Sequence, residues 1–318
     1  MTIFRRVMRW LFILAGILAG VVTAVAAFVA RKMIAPPRQR LWATPGDLNL
    51  DFEEISFPAQ DGIRLAGWFI PAPADSFRKG ATLIIVHGWP WNRLGESAED
   101  PMAKLDGTQP VDLLRLMLAL HKDGFNVLTF DLRNHGESAA MPPVTFGVNE
   151  SQDLLVALGY LNGRSDIAQN RIGVIGFSMG ANTLLYALPK TDRIKAAVAV
   201  QPTTADVFAK GYGRYVLSHL SLLVQPLAEF FYTSMGGPPL ASIRPAEMAA
   251  MAGDVPILYV QGEGDPWGSA EDVKHMAAVT PQPSGPLMVE TNDRFAGYQY
   301  VVDNPKIVSA FFEQHLPE

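Results

Sequence analysis

The order of apolar and polar positions divides the chain into one N-terminal apolar run and a long alternation of strands and helices. Short apolar, β-branched runs are typical of strands that are covered on both faces. Such runs occur at residues 55–57, 65–70, 81–86, 126–130, 171–175, 194–200, 256–260 and 287–290. Apolar residues at helical spacing come between or after them, at 111–121, 149–162, 179–188, 269–279 and 305–315. This alternation predicts an α/β domain, with a mostly parallel central sheet and helices on both faces.

The N-terminal apolar run covers residues 10–30 and contains no charged residue. About 20 apolar residues are enough to cross a bilayer as a helix. A cleaved signal peptide is the alternative, because residues 24–26 could form a cleavage site. The apolar part of a signal peptide is usually about 7–15 residues long, and this run continues past that site. We therefore predict an uncleaved membrane anchor in residues 1–34.

The side of the membrane on which the domain lies is left open, since arginine and lysine flank both ends of the run. We predict a linker at residues 35–50 and one large α/β domain at 51–318. Within that domain the alternation stops at about residues 203–252, which are rich in Leu, Phe and Tyr. This insert is interpreted as one or two apolar helices. These helices would either extend the core or form a cap over a site. Residues 91–110 are predicted to form a long loop, and loops of this length are often functional.

Composition excludes several classes of function. The 318 residues carry a net charge of −5 and show no basic stripe, so a nucleic acid is not an expected partner. The chain has no cysteine, which excludes disulfides, thiolate metal sites and a cysteine nucleophile. No metal or cofactor is predicted.

One short motif has the form of a nucleophile turn. Gly176 and Gly180 flank Ser178 between a predicted strand and a predicted helix. A serine hydroxyl is a poor nucleophile that must be positioned and given a base. A sharp strand-to-helix turn exposes it above the sheet, although glycines around a serine also suit a simple tight turn. His87, Asp131 and Asp265 also follow predicted strands, and the carboxyl ends of parallel strands share one edge of the sheet.

These motifs, taken in order, resemble those of the α/β-hydrolase fold family, in particular its serine-aminopeptidase-like and membrane-anchored esterase or acylglycerol-lipase-like branches. The resemblance extends from about residue 52 to the C-terminus. It rests on His87-Gly88-Trp89, Asp131-x-Arg133-x-His135-Gly136-x-Ser138, Gly176-Phe177-Ser178-Met179-Gly180 and Gly262-x-x-Asp265.

The resemblance implies a role for each of these residues. Ser178 would be the nucleophile and Asp265 the acid that orients a histidine, while the N–H groups of Met179 and Trp89 would hold the oxyanion. The remaining motif residues would support the site loops; they are His87, Gly88, Asp131, Arg133, His135, Gly176 and Gly180.

The histidine of this triad is missing from the expected loop, residues 290–298. Patterns in similar proteins would place it at Thr291 or at Arg294. Neither side chain can act as the base at neutral pH, because threonine is not basic and arginine stays protonated. The histidines that could replace it are His87 or His135 on the same sheet edge, and, less readily, His275 or His315.

Two functions from different classes follow. The first is a membrane-anchored serine hydrolase that cleaves carboxylic esters through an acyl-enzyme at Ser178; the anchor and the apolar insert favour lipid-like acyl esters. The second is a non-catalytic or weakly active protein with a binding or scaffold role. Peptide hydrolysis is a further possibility, by analogy with one branch of the family. The expected partners are a small-molecule or lipid-like ester and, through residues 10–30, a membrane.

Overall fold

The structure is a computed structural model that describes residues 2–59, 61–78, 80–97 and 110–316. Its centre is an eight-stranded sheet with the order β1-β2-β6-β3-β7-β8-β9-β10. Strands β1 and β2 are antiparallel to their neighbours, and the other pairs are parallel, as predicted. The strands of this sheet are β1 (Glu53–Pro58), β2 (Arg64–Ile70), β3 (Thr82–Val86), β6 (Asn126–Phe130), β7 (Ile172–Phe177), β8 (Ala196–Val200), β9 (Ile257–Gly262) and β10 (Pro283–Val289). The short strands β4 (Gly95–Glu96) and β5 (Val111–Asp112) form a separate pair.

Helices cover both faces of the sheet. The helices of the described residues are, in chain order, α1 (Thr2–Ile34), α2 (Leu113–Lys122), α3 (Glu150–Asn162), α4 (Met179–Ala187), α5 (Ala205–Leu217), α6 (Ser221–Ser234), α7 (Pro245–Ala249), α8 (Ala270–Val279), α9 (Arg294–Asp303) and α10 (Pro305–His315). Successive side chains of a strand point to opposite faces. Ile84 of β3 therefore joins the core beneath α3, α4 and α8, whereas Ile85 joins the core beneath α2, α9 and α10.

The largest departure from the sequence prediction follows the last strand. We predicted that residues 290–298 form a loop, but α9 begins inside this stretch, at Arg294. The Asp293 side chain caps this helix by accepting a hydrogen bond of 2.8 Å from the Phe295 N–H. The predicted helix at 111–121 also differs, because its first two residues form β5 instead. In the predicted loop at 91–110, residues 98–109 lie outside the described residues.

The N-terminal helix α1 is long and apolar enough to cross a membrane; this property is shared by anchors and signal sequences. The C-terminal part of this helix, from Val22 onward, packs on the domain. Val22 and Ala26 contact Val224 and Ala228 of α6, and Ala30 joins the main core. The chain that follows α1 also lies on the domain, where Gln39 Nε2 donates to Glu96 Oε1 at 2.7 Å.

Candidate active site

The motif around Ser178 forms a strained turn between β7 and α4. Ser178 has φ 51° and ψ −114°, a conformation that residues other than glycine rarely adopt. Its N–H donates to Val200 O at 2.9 Å. A Cβ at position 176 would lie 2.3 Å from Gly180 O, and one at position 180 would lie 2.2 Å from Val86 O. Both glycines are therefore required by close backbone contacts, and the turn places Ser178, which is itself buried, just beyond the carboxyl end of β7.

The two predicted oxyanion donors are the backbone N–H groups of Met179 and Trp89. Met179 is the first residue of α4, so its N–H has no partner within the helix and lies at the positive end of the helix dipole. A Cβ at position 88 would be 3.3 Å from the Ser178 Cβ, which shows that the turn His87-Gly88-Trp89 packs directly on the serine. The assignment of Met179 and Trp89 as oxyanion donors stays a prediction that this arrangement allows.

Arg294 occupies the space between Ser178 and Asp265. Its Nη2 donates to Ser178 Oγ at 3.1 Å and to the carbonyl oxygen of Gln201 at 3.1 Å. Its Nη1 forms an ion pair with Asp265 Oδ2, and the arginine is fully buried. Of the two positions proposed for the missing histidine, Arg294 is thus the one that contacts both the serine and the acid. Thr291 instead hydrogen-bonds the backbone of Asp293 in its own turn.

Asp265 is also held by two other groups. Its Oδ1 accepts from the Trp267 N–H at 2.9 Å, and its Oδ2 accepts from Gln261 Nε2 at 3.3 Å. Gly268 packs against the same ion pair, because a Cβ there would lie 2.5 Å from Asp265 Oδ2. The carboxylate is therefore fixed in a position from which it can orient a cationic or N–H-bearing partner.

The groups that contact Ser178 are poor proton acceptors. Burial alone would lower the pKa of Arg294, but the charge of Asp265 and hydrogen bonds with Asp265 and Tyr298 hold it above its usual value. The Tyr298 hydroxyl hydrogen-bonds with Ser178 and Arg294, and burial is the main cause that raises its pKa to about 12. A guanidinium has no free lone pair and a neutral phenol is a weak base. Neither residue can take the serine proton at neutral pH.

The histidines of the site loops have other partners. His87 donates from Nδ1 to Gly88 O at 2.7 Å, and its Nε2 accepts from the Leu132 N–H at 3.0 Å. His135 bonds through Nδ1 to Arg133 O at 2.7 Å, and its ring packs on His87 at 5.2 Å between centroids. Burial lowers the pKa of His87 well below its usual value and that of His135 to about 4. Both are neutral, and within the described ranges neither hydrogen-bonds Ser178.

The other loop residues form a buried network beneath the site. Asp131 accepts from the backbone N–H groups of Arg93, at 2.7 Å, and Glu137, at 2.8 Å. Arg133 donates to both oxygens of Asp153, with a shortest distance of 2.6 Å. These contacts suit the predicted structural role of this loop.

The last two candidate histidines lie away from this network. His275 is exposed on α8, and His315 packs on Phe311 at the end of α10. Within the described part of the chain, neither is hydrogen-bonded to Ser178.

Sequence reasoning missed three polar residues of the site: Gln201, Gln261 and Tyr298. Gln201 directly follows β8 and its Nε2 donates to Arg294 O at 2.7 Å, which fixes the start of α9. Gln261 lies near the end of β9. Both stand where a parallel sheet places its functional residues, so the signal was present as polar residues at the ends of apolar strands.

A mainly apolar cavity of about 290 Å³ extends from Ser178 and Arg294. This volume lies just below the range of about 300–1,000 Å³ that is typical of small-molecule sites. Its lining includes Val25 and Phe28 of the N-terminal helix, Phe208 and Tyr212 of α5, and Val224 of α6. The cavity therefore extends from the serine to the N-terminal helix α1.

Known proteins share this architecture. The Alpha/beta hydrolase family matches residues 83–317. The solved esterase Pf2001 of Pyrococcus furiosus is 26% identical, with a TM-score of 0.69, over 90% of this chain and 99% of that chain. YfhR of Escherichia coli K12 is 27% identical over 231 residues, which are 71% of this chain and 68% of that protein. WAV2 of Arabidopsis thaliana, an alpha/beta hydrolase domain-containing protein, is 29% identical over 169 residues, 52% of this chain and 48% of WAV2. This chain belongs to the α/β-hydrolase family, and its likeness to an esterase supports a hydrolase function.

Proposed function

We propose that this chain is a membrane-anchored member of the hydrolase family that binds lipid-like acyl esters, with the ester carbonyl at Ser178, and turns them over slowly. The observation that carries this proposal is the position of Arg294. In a serine hydrolase, the group beside the serine must accept its proton before the serine can attack. Here that group donates to Ser178 Oγ and to Asp265 instead.

The same geometry suits recognition of a carbonyl or carboxylate oxygen. Arg294 Nη2 donates to Ser178 Oγ at 3.1 Å, and the N–H groups of Met179 and Trp89 are the oxyanion donors that we predict beside it. Donors that converge on one point bind the oxygen of an acyl group. Oxyanion donors without an intact triad retain a rate enhancement of about 10³–10⁴ over water in serine proteases. We therefore expect binding to be strong compared with turnover.

The apolar cavity supports an acyl chain as the rest of the ligand. Phe208, Tyr212 and Val224 line this cavity together with Val25 and Phe28 of α1. A long apolar chain buries more surface here than a short or charged substituent would, which favours lipid-like esters over peptides.

A second candidate is an ordinary serine hydrolase that forms an acyl-enzyme at Ser178 and cleaves carboxylic esters. The strained turn with its two required glycines favours it, because strain at a functional residue is retained only when the surrounding structure maintains it. This function needs a proton acceptor that is not among the groups described above as contacting Ser178. A group of the substrate itself could serve.

One set of variants separates the two functions. We would compare the full chain with Ser178→Ala, Arg294→His and Thr291→His in detergent micelles. The readouts are fluorophosphonate labelling, hydrolysis of p-nitrophenyl acyl esters and binding of a fluorescent fatty-acyl probe. For the unmodified chain we expect weak fluorophosphonate labelling and clear binding of the acyl probe. Among the variants, we expect only Arg294→His to show a large gain in labelling and in ester hydrolysis. Thr291→His is the matched control, since residue 291 faces its own turn.

Fast hydrolysis by the unmodified chain that is lost in Ser178→Ala would favour the serine hydrolase and overturn the proposal. Failure of the folded chain to bind the acyl probe would overturn it as well.

A further inference from the structure

We propose that α6 lies inside the bilayer beside the anchor, so that the site takes acyl chains directly from the membrane. The inference rests on the membrane anchor and acyl ligand of the proposed function, and it is independent of turnover at Ser178. Together, α1 and α6 would form one membrane-embedded unit.

The packing of α1 fixes the depth of α6. Residues 10–30 are the apolar run that would cross the membrane, and Arg31 and Lys32 follow it directly. Val22 and Ala26 are buried against Val224 and Ala228 of α6. With a rise of 1.5 Å per residue, Val22 lies about 12 Å further into the run than Ala30. A helix that packs at this level lies below the surface of any bilayer that residues 10–30 cross.

The outward face of α6 suits lipid better than water. Exposed apolar side chains on it and on the turn before it are Leu220, Leu222, Leu223, Leu227 and Phe230. Between residues 215 and 235 the only acidic or basic side chains are His219 and Glu229. Glu229 is half-buried and accepts from the Leu240 N–H at 3.1 Å. An exposed apolar patch of this kind marks a surface that contacts a partner or a membrane, and its continuity with the anchor selects the membrane.

The cavity lies directly behind these two helices. It is lined by Val25, Phe28 and Val29 of α1, by Val216 of α5 and by Val224 of α6. The same helices thus present one face to the site and the other face to lipid. An acyl chain that leaves the bilayer between them reaches Ser178 without passing through water, which avoids the cost of exposing its apolar surface.

The absence of cysteine makes a direct test straightforward, because a single introduced cysteine can be labelled alone. We would place an environment-sensitive fluorophore at Leu222→Cys and Phe230→Cys in the full chain, reconstituted in phosphatidylcholine vesicles with nitroxide-labelled acyl chains. Phe77→Cys is the matched control: Phe77 and Phe230 are both 62% exposed. Phe77 precedes β3, at the sheet edge opposite the site. Val21→Cys reports on the anchor itself.

We expect the lipid nitroxide to quench the labels at residues 222 and 230 several-fold more than the label at residue 77. Quenching at residue 21 combined with control-level quenching at 222 and 230 would overturn this inference and leave the anchor intact. Absence of quenching at residue 21 would overturn the anchor as well, and with it part of the proposed function. Protection of the labels from aqueous iodide without lipid quenching would mean that a second copy covers the face, which also overturns the inference.

Discussion

At the scale of single residues, one side chain determines the chemistry of this site. Arg294 replaces a proton acceptor with a permanent donor, while Ser178 and Asp265 keep the arrangement of a triad. The arginine is tolerated in a buried place because its charge is paired and its N–H groups have acceptors. Its removal should therefore affect folding as well as chemistry.

The first prediction concerns this buried ion pair. Arg294→Met should lower the free energy of unfolding by about 3–5 kcal/mol, because it leaves the charge of Asp265 buried and unpaired. Asp265→Asn should also destabilise, but adding it to Arg294→Met should cost little more or even restore stability. The unmodified chain, the two single variants and the double variant form a double-mutant cycle. Chemical unfolding in detergent, followed by tryptophan fluorescence, measures the stability of all four proteins. Additive losses would show that the two groups do not depend on each other.

The second prediction concerns pH. Arg294 has a pKa above its usual value and Tyr298 one of about 12, so neither changes charge near neutrality. After subtraction of the uncatalysed rate, the rate of residual ester hydrolysis by the unmodified chain should therefore not change in a sigmoidal step between about pH 5 and 9. In Arg294→His the rate should rise with pH, because only the neutral imidazole can accept the serine proton. A sigmoidal rise in the unmodified chain would instead reveal a titrating base that serves Ser178.

At the scale of elements, two turns decide what the site can hold. The β7–α4 turn presents Ser178 and requires glycine at positions 176 and 180. The β10–α9 turn is closed by the Asp293 cap, so that α9 begins at Arg294 and directs this side chain towards β7. The function of each element therefore depends on where the neighbouring helix begins.

The third prediction tests the first of these turns. In Gly180→Ala, the new methyl group would lie 2.2 Å from Val86 O and 2.5 Å from His87 O, which are backbone atoms that cannot move independently. We expect a loss of at least about 1–3 kcal/mol in the free energy of unfolding. Gly159→Ala is the control, since it adds a methyl group in open space within α3 and should stabilise by about 0.5–1 kcal/mol. Equal effects of the two changes would contradict the assigned role of Gly180.

At the scale of the whole molecule, the cavity joins parts that are far apart in the sequence. It runs from the carboxyl edge of the sheet to α1, with the insert at residues 203–252 as one wall. The shape of the cavity is thus determined by α1 and the insert as much as by the serine.

The fourth prediction concerns acyl chain length. If the cavity holds the chain, affinity for saturated fatty-acyl probes should increase by roughly 0.8 kcal/mol per methylene until the cavity is full. Ala209 lines the cavity, so Ala209→Trp should end this increase at a shorter chain. Competition with a fluorescent fatty-acyl probe measures both series. Affinity that does not depend on chain length would place the chain elsewhere.

The sequence by itself determined the fold, the order of the site motifs and the absence of a histidine after Asp265. Periodicity is a local property, so the strands of the main sheet and most helices were predicted within a few residues, whereas α9, β4 and β5 were missed. Only the tertiary structure decided which side chain occupies the position of the missing histidine. Thr291 and Arg294 were both candidates, and because α9 begins at Arg294, the arginine is the residue that contacts Ser178. Gln201 and Tyr298 joined the site for the same reason, because such contacts depend on how distant strands and loops pack together.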